Sequence, residues 1–367
     1  MGNRVSAINT SILRAIFHEP STAPKRSLLA KILTFFSFLQ LALARFKVSL
    51  FGELREQVWG LDEGEYNESF GGKEGQQRKE HGKGEGLKPI GDLGYSGSTF
   101  FTTPNSAYLI KSIPRSFEHT FFSQDLLPLY DQHMHAHPSS LLVRITDFLY
   151  TPHKTLGGLT GLAPTTHIIM ENILYGKESD TSGPDGEGGK AWETYDLKPA
   201  SYFYPERDIA DGALAPESVK ERLVDVLPDK IRISKHDRDE LLDHLSQDTK
   251  LLQECNAVDY SLFLVRYPAS HHSSVTAVTS KATTAWRTGV KSVDGKWVYR
   301  AVILDFFWAK HKGQPMFMTG LVSGFNVFAG KGHMSITTDA GEYRGRFLRM
   351  VEEYLSVDPF EDQEEEE

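Results

Sequence analysis

Apolar residues cluster in six short runs bounded by polar or glycine-rich segments, and these read as strands over Ser98 to Thr103, Ala107 to Ile113, Ser140 to Tyr150, His167 to Leu174, Ser261 to Tyr267 and Trp297 to Leu304. Helical periodicity marks roughly Phe117 to His135, His236 to Cys255 and Glu342 to Leu355. In the middle helix Leu241, Leu242, Leu245, Leu252 and Cys255 recur at helical spacing. Residues 71–89, 176–190 and 269–296 are rich in Gly, Ser or charge and read as loops. Early strands, interspersed helices and a long carboxyl half predict an α+β fold with a cleft between two lobes.

The first fifty residues break this pattern. Ile32 to Ala44 carries no charge and is flanked by Lys31 and Arg45. At thirteen residues it is shorter than the ~20 needed to span a bilayer. On a helical wheel Ile32, Phe35, Phe36, Leu39, Leu43 and Phe46 share one face. Such a helix either packs on the domain behind it or lies in a membrane interface. "MGNRVS" fits the pattern for N-myristoylation of Gly2, and acylation plus basic charge would together suffice for anchoring.

Charge sharpens the division. Residues 1–50 hold seven Lys/Arg and one acid, whereas the last ten hold seven acids and no base. The chain therefore reads as a basic, apolar N-terminal membrane-association segment (1–50), a folded body (51–356) and an acidic tail (357–367). The net charge of −9 lies largely in that tail, so nothing in the body argues for nucleic acid. Cys255 is the sole cysteine, which leaves no internal disulfide and no cysteine-based zinc site. A reducing, intracellular location is expected.

"GYSGSTFFTTPNSAYLIKSI" (94–113) places a Gly-Ser corner ahead of a single lysine, Lys111, in an apolar strand. It is either a hairpin over a phosphate chain with a lysine reaching it, or an ordinary hairpin whose lysine snorkels. Three further runs follow in order: "YDLK" (195–198), "VDYSLFLV" (258–265) and "AVILDFF" (301–307). This order resembles the phosphatidylinositol phosphate kinases. The resemblance extends to "FGELREQVWGLDEGEYNESF" (51–70), "LLPLYDQHMHAHPSSLLVRITDFLY" (126–150) and "EYRGRFLRMVEEYL" (342–355), and so covers about residues 50–356.

The resemblance implies a two-lobed lipid-kinase fold (SAICAR synthase-like) with antiparallel sheets, an N-lobe over about 51–175 and a C-lobe over about 191–356. It implies ATP and Mg²⁺ as cofactors, a phosphatidylinositol phosphate as substrate, and action at a membrane surface from the cytoplasm. Gly94, Ser96, Gly97 and Ser98 would cover the phosphates and Lys111 would neutralise them. Asn172 and Leu174 would line the adenine pocket. Lys198 would face the transferred phosphate, with Asp196 orienting it or serving as a structural acceptor. Asp259 would accept or orient the inositol hydroxyl proton or help bind metal, unless it merely caps a helix. Asp305, ending an apolar strand, would hold Mg²⁺, a structural role being the alternative. Of the His133, His135 and His137 triplet only His133 has a family counterpart, and a metal role is not expected.

Two departures mark the chain as divergent. Pro199 stands where the family has glycine after "YDLK". The segment after Asp305 has few lysines but carries Met316, Phe317, Met318, Leu321, Phe325 and Phe328. These departures leave a catalytically weak or inactive phosphoinositide- or nucleotide-binding scaffold as the rival to an active kinase. A protein kinase is disfavoured, because H-R-D-x-x-x-x-N and D-F-G are missing.

Overall fold

The computed structural model describes residues 2–17, 41–71, 86–90, 98–160, 163–182, 188–199, 227–274, 283–309 and 339–357. They fall into two compact units, one from within Met1–His119 and Val143–Glu178, the other from within Thr120–Leu142, Ser179–Thr276 and Thr283–Glu367. Residues 120–142, expected in the N-lobe, are thus built into the second unit.

In the first unit α1 (Gly2–Phe17) precedes β1 (Ala44–Arg45), α2 (Val48–Glu53), α3 (Glu63–Ser69), β2 (Lys88–Ile90), β3 (Phe100–Thr102) and β4 (Tyr108–Ser112). After α4 (Ser116–Thr120), which reaches the second unit, come β5 (Ile145–Tyr150), a short α6 (Leu156–Leu159) and β6 (Thr166–Glu171). The strands form one antiparallel sheet in the order β1-β5-β6-β4-β3-β2. β4 alternates as its sequence predicts, with Tyr108, Ile110 and Ser112 buried and Leu109 and Lys111 half-buried. β5 and β6 are buried along nearly their whole length, as strands covered on both faces must be.

One cover is α1. Its Ile8, Ile12 and Ile16 recur at every fourth residue and join Phe101, Ile110, Leu149 and Ile169 in a common core. Asn9 Nδ2 donates to the Leu87 carbonyl (2.9 Å) and Ser11 Oγ accepts the Leu41 amide (3.0 Å). The first residues therefore include a packing helix. The exposed positions of α1 include Arg4 and Arg14.

The helix expected to run through Phe46 does not reach it. Residues 41–43 are irregular, and Ala44–Arg45 pair with Leu149–Tyr150 as β1. Two interactions outweigh the helical periodicity there. Arg45 Nη2 meets Asp147, whose side chain is wholly buried, at 2.7 Å. The Phe46 ring packs edge-on against Phe148 and Tyr150. A buried carboxylate without such a cation would be costly. Residues 32–40 lie outside the described set.

The second unit contains α5 (Leu127–Ala136), which continues α4 through a wide turn at Phe121–Leu126. β7 (Glu193–Leu197), β8 (Ile231–Ile233), α7 (Lys235–Glu254), β9 (Ala257–Val258) and β10 (Ser261–Pro268) follow. Then come α8 (Ala285–Thr288), β11 (Val290–Lys291), β12 (Trp297–Leu304), β13 (Trp308–Ala309), α9 (Ala340–Tyr354) and β14 (Leu355–Val357). The main sheet is antiparallel in the order β11-β12-β10-β7. β9 pairs antiparallel with β13. β8 and β14 pair in parallel, an exception to the antiparallel expectation.

Only Ile145–Tyr150 of the strand expected over Ser140 to Tyr150 joins the first unit's sheet; side chains take the Leu141 amide and the Leu142 carbonyl, and the contact of this stretch with a strand is the single bridge from Leu142 to β12. "YDLK", assigned to no element from its sequence, contributes β7.

Candidate active site

Strand register brings three of the expected residues to one end of the second unit's sheet. β10 and β12 run antiparallel with Ser261 opposite Leu304, so Asp259 before β10 and Asp305 after β12 share that end. β7 pairs with β10 through Leu197 opposite Leu262, which delivers Lys198 to the same place. The small β9–β13 ladder pairs Val258 with Trp308 on the far side of both aspartates. Asp259 and Asp305 therefore occupy the gap between two ladders.

Both aspartates adopt left-handed backbone, φ 66° at Asp259 and 61° at Asp305. For a residue with a Cβ this costs about 1–2 kcal/mol, and Asp is among the few types that tolerate it. Packing on either side holds them there. Tyr260 is fully buried against Tyr343 and Phe347 of α9, and its carbonyl accepts the Tyr343 hydroxyl. Phe306 and Phe307 pack on Tyr130 and Phe122. The C-terminal helix and the α4–α5 run thus anchor the residues beside each aspartate.

Lys198 Nζ donates to the Asp259 carbonyl (2.8 Å) and to its Oδ1 (3.1 Å). Burial alone would lower the lysine pKa, but Asp259, Asp305 and Asp196 overcome it and hold the pKa above the ordinary lysine value. Lys198 is an ammonium at neutral pH. Asp196 lies two residues before it on β7, opposite Phe263, and acts on it through charge. Pro199 is buried and does not prevent the Lys198–Asp259 contact.

In the first unit Lys111 lies on β4 opposite Phe100 and Ile168, its Nζ 5.6 Å from the centre of the Phe100 ring. Ser98 is buried, and Thr99 and Ser112 exchange two hydrogen bonds that fix the start of β3. Gly94, Ser96 and Gly97 lie outside the described residues, as does the segment 310–338. Asn172 donates Nδ2 to the Ser106 carbonyl (2.7 Å) and accepts the Leu174 amide (3.1 Å). Its amide thereby closes the β3–β4 turn, with Leu174 half-buried beside it.

Glu118, overlooked in the sequence, belongs with Lys111. Burial raises its carboxyl pKa, and Arg115 and Lys111 oppose the rise. The available signal was an acidic residue in the first turn of the helix that directly follows the Lys111 strand. The histidines have other partners: His133 Nε2 lies 2.7 Å from Asp248 Oδ1, and His135 Nδ1 lies 2.9 Å from the Asp131 carbonyl.

Among the described residues no three His, Cys, Asp or Glu side chains form a metal-holding cluster. Mg²⁺ carried by nucleotide phosphates needs only one or two carboxylates, so the hard oxygens of Asp305 and Asp259 fit it.

The sequence model of phosphatidylinositol-4-phosphate 5-kinase matches residues 82–285, which carry Lys111, Lys198 and Asp259. The chain belongs to that family. A probable phosphatidylinositol phosphate kinase of Dictyostelium discoideum is 28% identical over 184 residues, covering 50% of this chain and 23% of the relative. A phosphatidylinositol 4-phosphate 5-kinase of Plasmodium falciparum is 27% identical over 324 residues, covering 81% of this chain and 17% of the relative. The chain thus spans less than a quarter of the length of either relative.

Proposed function

We propose that the chain transfers the γ-phosphate of ATP to a hydroxyl of the inositol ring of a phosphatidylinositol phosphate at a membrane surface. The observation that carries this reading is the Lys198–Asp259 contact beside Asp305, three strand ends supplying one cation and two carboxylates. Phosphoryl transfer asks a protein mainly for positioning and charge neutralisation.

In this mechanism Asp259 takes the hydroxyl proton as the ring oxygen bonds to the γ-phosphorus and the bond to the β,γ-bridging oxygen breaks. Lys198 meets the charge on the transferred group while fixing the Asp259 side chain. Lys111 meets the α- and β-phosphates, and Asp305 would hold Mg²⁺. Bound there, the ion would supply positive charge against the negative charge of the phosphates.

Membrane contact is part of the proposal. No helix among the described residues is long and apolar enough to cross a bilayer. The apolar face of α1 is occupied by the core, so what α1 itself would contribute is an acyl group on Gly2 and the charges of Arg4 and Arg14. Arg45 is bound to Asp147 and offers no charge to lipid. Met316, Phe317, Met318 and Leu321 would supply apolar insertion.

The test is transfer of label from γ-labelled ATP to vesicles containing each phosphatidylinositol monophosphate in turn. Label in a bisphosphate lipid is expected. Nucleotide binding without transfer on any of these lipids would overturn the kinase reading and leave the scaffold.

A further inference from the structure

Ser140–Leu142, between α5 and β5, is gripped by opposite charges. Asp248 of α7 is 1% exposed, and its Oδ1 accepts the Ser140 hydroxyl (2.6 Å) and His133 Nε2 (2.7 Å). Its Oδ2 accepts the Leu141 amide (2.7 Å). Arg287 of α8 is 6% exposed and binds the opposite polarity, donating to the Ser140 carbonyl through Nε and Nη2 and to the Leu142 carbonyl at 2.7 Å. A carboxylate on the donors and a guanidinium on the carbonyls fix this tripeptide from both sides.

The tripeptide in turn holds β12. On one side β12 pairs with β10 along its whole length, whereas β11 reaches only Val298 and Tyr299 on the other. Further along that second edge the Leu141 carbonyl accepts the Ile303 amide (2.7 Å), and Leu142 forms a parallel bridge with Ile303. Ile303 stands two residues before Asp305, whose left-handed backbone persists only where its surroundings impose it.

We propose that Asp248 and Arg287 are positioning residues for Asp305: acting through Ser140–Leu142, they clamp the free edge of β12 and so fix the turn that presents the carboxylate. The inference rests on the kinase reading for its effect on turnover, but not for the clamp itself.

The test uses the full chain with Asp248→Asn, Arg287→Lys and the milder Ser140→Ala. Hydrogen exchange without substrates is followed at 303–307 and at 262–267. Exchange at 303–307 is expected to quicken about tenfold or more while 262–267 stays protected, because opening is local. Lipid phosphorylation should show kcat reduced about tenfold with KM for ATP within about twofold, the signature of a misplaced group and not of lost nucleotide binding. Ser140→Ala should give the smallest change of each kind. Exchange rising equally in both segments, or kcat unchanged despite local opening, would overturn the positioning role. A wild-type chain that transfers no phosphate would instead overturn the kinase reading, with the exchange contrast still deciding the clamp.

Discussion

Two lysines expected to serve one nucleotide are set in opposite ways. Lys198 is gripped by the carbonyl and carboxylate of a residue sixty-one positions away and lies in the field of three aspartates. Lys111 lies on a hairpin strand beside the Phe100 ring, and its charge helps hold down the carboxyl pKa that burial raises at Glu118. The first is fixed by tertiary structure and the second is carried on a local element. Preorganised charge belongs where charge develops in a transition state. Under the proposed mechanism, loss of Lys198 should fall mainly on turnover and loss of Lys111 mainly on nucleotide affinity.

The largest expected effects break the gripped side. Asp305→Asn and Lys198→Met should each lower kcat for lipid phosphorylation about a thousandfold, since metal- and charge-stabilised transfer is worth several kcal/mol. Circular dichroism of both variants should match the wild type. Raising pH to about 10 should not by itself mimic Lys198→Met, because a raised pKa keeps the ammonium in place until the folded value is reached.

A smaller effect is expected on the other side. Lys111→Met should raise KM for ATP by about ten- to a hundredfold, the loss of one charge-assisted contact, with a lesser change in kcat. Equal effects on kcat from Lys111→Met and Lys198→Met would erase the distinction.

The two units should also part in acid. His167, on β6 of the first unit, is buried with neither ring nitrogen hydrogen-bonded, and burial pushes its pKa down to about 4. The unfolded chain takes up that proton first, near pH 6.5. Stability from this site is therefore complete above pH 6.5 and falls towards pH 4, by about 1.4 kcal/mol per pH unit. In the second unit, Asp180 carries a carboxyl lowered to about 2; its own burial opposes the shift, and bonds from Trp192, Ser182 and His271 outweigh it. Its contribution is kept above about pH 3.8 and lost only as pH falls towards 2. Hydrogen exchange at pH 5 should show the first unit's sheet weakened, and His167→Gln should remove most of that change.

The smallest effect concerns Pro199. Because Lys198 meets Asp259 with proline in place, Pro199→Gly should leave turnover within about threefold and cost at most about 1 kcal/mol, chiefly through the unfolded chain.

The readable parts of the sequence were those governed by local pattern. β4 alternates, β10 and β12 are short apolar runs, and the helices beginning near residues 116, 235 and 340 keep helical spacing, all signals that single segments carry. Lys198, Asp259 and Asp305 stood out by their motifs, and strand register then brought them to one edge. What escaped was set by distant partners. Ala44–Arg45 became a strand because Asp147 needed Arg45. Ser140–Leu142 left the sheet because a carboxylate on α7 and a guanidinium on α8 bound its backbone. Spacing in the sequence carries no trace of such pairings.

The most direct test is a double-mutant cycle on Lys198 and Asp259, reading label transfer from γ-labelled ATP to phosphatidylinositol phosphate vesicles. If the two side chains work as one unit, Lys198→Met and Asp259→Asn should each cost about a thousandfold, and the double variant no more than the worse single one. Losses that multiply, or wild-type turnover in either single variant, would contradict a phosphoryl-transfer centre built on that contact.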